Sequence, residues 1–136
     1  MKNTFPFVER SGLELVEVER GRATLRMPLE GNGNHVDMMY AGALFTLAEV
    51  PGGTVFSSFV DMKRFYPLVG EVSIRYTKPV VTDAFVTATL SESEMDRIVN
   101  ELESNGKTKY VLELELTDDA GAVVATTSGT YFGRSF

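Results

Sequence analysis

Over residues 107–117 apolar and polar positions alternate, with Tyr110, Leu112, Leu114 and Leu116 on one side and Glu113 and Glu115 on the other. A two-residue period is that of a half-buried strand. Asp118-Asp119-Ala120-Gly121 then predicts a hairpin turn, and residues 122–132 read as the closing strand. The same period opens the chain. Residues 13–19 predict a strand with imperfect alternation, and Gly21 turns it into residues 22–27, where Ala23, Leu25 and Met27 share one face. Pro28 ends that strand, and Gly31-Asn32-Gly33-Asn34 predicts a loop.

Residues 40–49 change period. Leu44, Leu47 and Ala48 fall on one helical stripe, and the small residues Ala41, Gly42, Ala43 and Ala48 let another backbone come close. Pro51-Gly52-Gly53 breaks or kinks this helix, so that residues 54–60 are either its continuation or a loop. After a loop around Pro67, strands are predicted at 70–77, ended by Pro79, and at 84–90. Ser91 with Glu94 fits a capping box, and Met95, Ile98, Val99 and Leu102 at spacings of three and four predict a short amphipathic helix. Asn105-Gly106 stops it. The order is strand, strand, central helix, then four strands with a helical insert. That order predicts an α+β fold: one antiparallel sheet with a helix buried on one face.

At 136 residues the chain reads as one domain, residues 1–136, and 43% hydrophobic residues suffice for a core. A net charge of −6 without a basic block argues against nucleic acid as a partner. The absence of cysteine excludes disulfides, thiolate nucleophiles and cysteine metal sites, and it fits the cytosol. Met1-Lys2-Asn3-Thr4-Phe5-Pro6 lacks the long apolar stretch of a signal peptide. No apolar run approaches the roughly 20 residues of a membrane span, so no membrane is expected.

The candidate chemistry gathers at residues 34–49. Glu49 ends the helix as a lone carboxylate among apolar neighbours. Burying a carboxylate costs several kcal/mol, on the order of 3–5, unless it is paired or used. It is either a general base or nucleophile with a raised pKa, or a carboxylate that faces solvent or pairs with Arg or Lys. Ala41 and Gly42 offer N–H groups at a helix start, where the dipole favours a developing oxyanion; an ordinary, tightly packed helix start gives the same pattern. Asn34 after Gly33 suits a turn. His35, the single histidine, builds no zinc site by itself, and no Gly-x-Ser-x-Gly elbow accompanies it. Gly106-Lys107-Thr108 is not a phosphate loop, since Glu101 stands where that motif needs glycine.

Asn34, a small-residue helix beginning six residues later, an acid nine positions further on and an antiparallel sheet together resemble the hotdog-fold acyl-CoA thioesterases, the phenylacetate-degradation type most of all. The likeness runs from Gly12 to Phe132. It includes Val72-Ser73-Ile74-Arg75-Tyr76-Thr77-Lys78-Pro79-Val80, similar to the family's third strand with its closing proline, and Asp119-Ala120-Gly121-Ala122-Val123-Val124-Ala125, similar to its last hairpin. Where the family's helix opens His-Gly-Gly this chain has Tyr40-Ala41-Gly42. Glu49 stands for its frequent Asp, and Val69 for a hydroxyl residue of some members.

The resemblance implies a sheet wrapped around the helix and a homodimer or homotetramer with the cleft between subunits. It implies hydrolysis of an acyl-CoA thioester without cofactor or metal. Glu49 would act on water or on the carbonyl, with the Ala41 and Gly42 amides on the oxyanion, Tyr40 as a further donor or an apolar anchor, and Asn34 orienting from across the interface. Lys63, Arg64, Arg75, Lys78 and Arg134 are the expected contacts for CoA phosphates. Two alternatives follow from the same likeness: a dehydratase using His35 and Glu49, fourteen positions apart, and a non-catalytic acyl-thioester binding protein.

Overall fold

A computed structural model describes residues 5–136. Residues 1–4, most of the stretch read for a signal peptide, lie outside them. The elements in chain order are α1 (Pro6–Ser11), β1 (Glu14–Glu19), β2 (Arg22–Met27), α2 (Ala41–Glu49), α3 (Pro51–Ser57), β3 (Phe65–Tyr76), β4 (Ala84–Thr89), α4 (Glu92–Asn105), β5 (Lys107–Asp118) and β6 (Val123–Ser135). The six strands form one sheet in the order β1-β2-β4-β5-β6-β3, antiparallel at every pairing.

The alternation seen in the sequence sorts the sheet into two faces. Ala23, Leu25, Met27, Ala84, Val86, Ala88, Tyr110, Leu112, Leu114 and Leu116 are buried on the face that receives α2 and α3, and Leu47, Val55 and Phe56 of those helices are closed off against them. Each valine, leucine or methionine among them contributes about 1.5–3 kcal/mol by leaving water. The α4 insert packs on β5 and β6 with Met95, Ile98 and Leu102 buried. No helix among the described residues is long and apolar enough to cross a membrane.

Pro51 acts as a kink rather than a stop. Val50 keeps right-handed helical dihedrals (φ −58°, ψ −37°), and its N–H reaches the Thr46 carbonyl at 3.1 Å. The chain therefore runs on into α3, with one hydrogen bond missing where proline has no N–H. Two tyrosines on the sheet serve this kink. Tyr110 donates to the Gly52 carbonyl at 2.8 Å, and Tyr131 donates to the Glu49 carbonyl at 3.0 Å. Their rings stack with centroids 5.5 Å apart, and Phe56 stacks on Tyr110 at 5.6 Å. Gly52 is required here, because a Cβ would enter the Tyr131 ring.

Several boundaries differ from the sequence reading. The helix α1 was not expected; Pro6 in its first turn and Gly12 at its end (φ +81°, N–H to the Glu9 carbonyl) are its punctuation, but it is only six residues long. The loop expected around Pro67 is strand. β3 starts at Phe65 because it is the sheet's edge, paired on one side only, where a missing N–H breaks no ladder. β6 continues to Ser135, past the expected end at 132. The capping box is half made: Ser91 Oγ accepts from the Glu94 N–H at 3.2 Å, while the Glu94 carboxylate takes Arg97 at 2.6 Å. The hairpin turn is as read, with Gly121 at φ +82° and Asp118 Oδ1 accepting from the Ala120 and Ala122 amides.

Candidate functional site

The side chain of Glu49 borders an apolar groove of about 690 Å³ between α2 and β3. Phe7 and Val8 of α1 close one part of it, Phe45 and Val50 the helix side, and Val69 and Val72 the strand side. Glu49 is half-buried. Among the described residues no cation or hydrogen-bond donor engages its carboxylate, and burial by itself raises its pKa above the ordinary 4.5. The reading of Glu49 as an ion-paired helix carboxylate is thereby removed. Its backbone is fixed by the Tyr131 hydroxyl.

The same groove holds Tyr40 and Gly42. Tyr40 precedes the helix in extended conformation (φ −62°, ψ 140°), and no side chain caps the helix. The first-turn amides of Ala41 and Gly42 have no acceptor within a helix and find none among the described residues. The Tyr40 ring, 60% exposed, lies against the α-carbon of Gly42, where any Cβ would collide with it. Glycine at 42 thus lets the tyrosine ring keep this place. On the neighbouring side Tyr76 donates to the Ala41 carbonyl at 3.0 Å; burial, then the nearby Tyr40, raises its pKa.

Ala41 and Asn34 line a second groove, of about 370 Å³, with Tyr76 and Lys78. Asn34 is a turn residue: its Oδ1 accepts from the Val36 and Met38 amides at 2.9 and 3.1 Å, and its own N–H donates to the Met38 carbonyl at 2.6 Å. Within one protomer it does not line the Glu49 groove. His35 is exposed on that turn and lines neither groove.

The five expected phosphate contacts fall into two groups. Lys63, Arg64 and Arg134 lie where β3 begins and β6 ends; Arg75 and Lys78 lie where β3 ends. Nine residue steps along the strand, roughly 30 Å, separate Tyr66, which faces Arg134, from Arg75. Arg64 is already held by Glu103 through two hydrogen bonds of 2.7 and 2.8 Å. Lys78, in the second groove beside Ala41, stands nearest the candidate chemistry. Sequence reasoning passed over Phe7, Glu71 and Tyr131. Only Tyr131 carried a readable signal, as a large side chain on the inward phase of the closing strand.

The domain of unknown function DUF4442 matches residues 1–132. A Pseudomonas aeruginosa protein of unknown function, described as a probable thioesterase, is 46% identical, with 97% of this chain and 89% of that one covered and a TM-score of 0.89. A protein of unknown function from Chlorobaculum tepidum shares 21% identity over 98% of this chain and 88% of its own, with a TM-score of 0.87. A Staphylococcus aureus thioesterase, in a variant carrying alanine for a glutamine, shares 17% over 94% and 98%, with a TM-score of 0.76. No curated protein matches the chain. The chain is a member of the DUF4442 family and has the hotdog fold.

Proposed function

We propose that this protein hydrolyses acyl-CoA thioesters in the groove at Glu49. The observation that carries this reading is the unpaired, half-buried Glu49 carboxylate sharing one apolar groove with the helix start at Gly42. The 46% identical Pseudomonas protein, described as a probable thioesterase, supports the reaction class.

The acyl group lies along Phe45, Val50 and Val72, with its carbonyl at the start of α2. Glu49 takes a proton from water, and the hydroxide adds to the thioester carbon. The oxygen that gains charge is held by the Gly42 and Ala41 amides, with the Tyr40 hydroxyl as a further donor. Collapse breaks the C–S bond; CoA leaves as thiolate and is protonated, and the free acid remains. Direct attack by Glu49 expels CoA and forms an anhydride, which a water molecule then opens to the same products; label in the Glu49 carboxylate after a single turnover in labelled water would identify that route with water adding at the Glu49 carboxyl carbon. No cofactor takes part in either route.

The free edge of β3 pairs with β3 of a second copy in a dimer, which brings the partner's Asn34 turn toward the groove. The Asn34 amide nitrogen, unused in the turn, then orients the water. Arg75 and Lys78 receive the CoA phosphates. The chain acts as one domain, in the cytosol. The dehydratase alternative needs His35, which does not line the Glu49 groove within one protomer, and a hydration assay with an enoyl thioester distinguishes it from hydrolysis. Thiol release from a panel of acyl-CoA esters by the purified protein tests the proposal; release that equals the rate without protein across the panel removes it.

A further inference from the structure

Gly42, Thr46 and Glu49 stand at i, i+4 and i+7 on α2 and so form one stripe of the helix, and all three line the same groove. Thr46 is the buried member, 9% exposed, whereas the other polar side chains of the groove, Tyr40, Glu49 and Glu71, are half-buried or exposed. Threonine is a poor residue for the middle of a helix. Its branched Cβ loses rotamer freedom there, and its hydroxyl competes for a backbone carbonyl.

The Thr46 hydroxyl donates to the Gly42 carbonyl at 2.9 Å. A hydroxyl has one proton to give and two lone pairs that accept. The proton is committed to the helix, and among the described residues no donor reaches the lone pairs. Towards the groove Thr46 is therefore an acceptor only. Thr54 provides the comparison within the same molecule. It is equally buried, 9% exposed, and its hydroxyl donates to the carbonyl four residues back, Val50, at 3.2 Å. Thr54 does not line the groove.

We propose that Thr46 Oγ1 positions the attacking water, accepting the hydrogen that Glu49 does not take. The inference rests on the reading of Glu49 as the base. Side chains three residues apart on a helix have Cβ atoms about 5–6 Å apart, a gap that one water bridges between a hydroxyl and a carboxylate. The water then gives one hydrogen bond to Glu49 and one to Thr46. Of its two lone pairs, one takes the Asn34 amide and the other faces the thioester carbon. As Glu49 removes its proton, the oxygen–carbon bond forms and the carbonyl pair moves onto the oxygen held at the start of α2. The second hydrogen stays on the water oxygen throughout, so Thr46 moves no proton. Its fixed acceptor role turns the lone pair toward the helix start, where Gly42 lies one turn before it.

Steady-state hydrolysis of an acyl-CoA ester by the parent and its variants tests this role. Thr46→Val keeps the shape of the side chain and removes the hydroxyl. Its kcat should fall by about tenfold, the rate equivalent of one ordinary hydrogen bond, and its KM should not rise. Thr46→Ala, a strong helix former, should fold even where valine crowds the groove, and should lose kcat alike. Thr46→Ser keeps the hydroxyl and should retain most of the parent's kcat. Thr54→Val loses the same kind of backbone bond and should melt like Thr46→Val, yet keep the parent's kcat. Parent-level kcat in Thr46→Val and Thr46→Ala, or a loss shared equally by Thr54→Val, would overturn the proposal and leave Glu49 as the base. A parent protein that hydrolyses no acyl-CoA would instead remove the reading of Glu49, and this role with it.

Discussion

The Tyr131 hydroxyl, on the closing strand, donates a 3.0 Å hydrogen bond to the backbone carbonyl of Glu49 at the end of the central helix. The contact crosses the core and meets the helix beside Pro51, where the helical ladder lacks one N–H. Burial, reinforced by the nearby Glu49 charge, raises the Tyr131 pKa, so the hydroxyl stays a donor throughout the accessible pH range. Tyr131→Phe leaves the Glu49 carbonyl without this donor. Urea denaturation should show a loss of about 1–3 kcal/mol, the cost of an unmet buried polar group. Hydrolysis should lose kcat with KM unchanged, because the carboxylate moves while the groove keeps its walls.

Tyr40 and Gly42 form a dependent pair. Gly42→Ala forces the Tyr40 ring out of its place. Removing the ring first, with Tyr40→Ala, should make the alanine at 42 harmless. The double-mutant cycle should therefore give a coupling of about 1 kcal/mol or more in stability. Additive single effects would mean that the ring and the helix start do not constrain each other.

Asn34 separates a turn role from a catalytic one. Asn34→Asp keeps Oδ1, which takes the Val36 and Met38 amides, and gives up the amide nitrogen. Its melting temperature should stay near the parent's while hydrolysis falls by roughly 10²-fold, as for loss of a positioned group in general acid–base catalysis. Full activity in Asn34→Asp would confine the residue to the turn.

These residues also mark how far the sequence could be read. The faces of β2 and β5, the α4 insert and the glycine-bearing hairpin at 118–121 were legible because a period of two or a run of threes and fours carries packing information directly. Pro67 misled because local chemistry reads proline as a break, whereas its tolerance depends on β3 being an edge, a fact of tertiary order. The helix α1 was missed because a turn and a half burying only Val8 has no measurable period. At the site, Glu49 and the small-residue helix start were legible as a pattern. Phe7 was not, because its place in the groove is set by how α1 packs, and neither was the use of Asn34 Oδ1 by its own turn.

Stability should depend on pH in two opposite ways. The Glu49 pKa is raised in the folded protein, so its proton is bound more tightly folded than unfolded. Its penalty is absent below about pH 4.5, the ordinary value, and grows as pH rises through the folded value. Glu49→Gln should therefore melt higher than the parent at pH 8, with the gap closing near pH 4. Asp83 has the reverse sign: the Leu29 amide, then Arg26, lower its pKa. Its contribution is present above the ordinary 3.8 and is lost as pH falls through the folded value. Asp83→Asn should cost stability at neutral pH and progressively less in acid. Thermal melts across pH 3–8 would read both, and a Glu49→Gln gap independent of pH would refute the burial argument.

The most direct measurement is the rate of acyl-CoA hydrolysis by Glu49→Gln beside the parent. Glutamine keeps the size and polarity of the side chain and removes the base. The account predicts a folded protein, as stable as the parent or more so, whose hydrolysis rate is lower by roughly 10²-fold or more. A stable Glu49→Gln protein that hydrolyses acyl-CoA at the parent rate would contradict it.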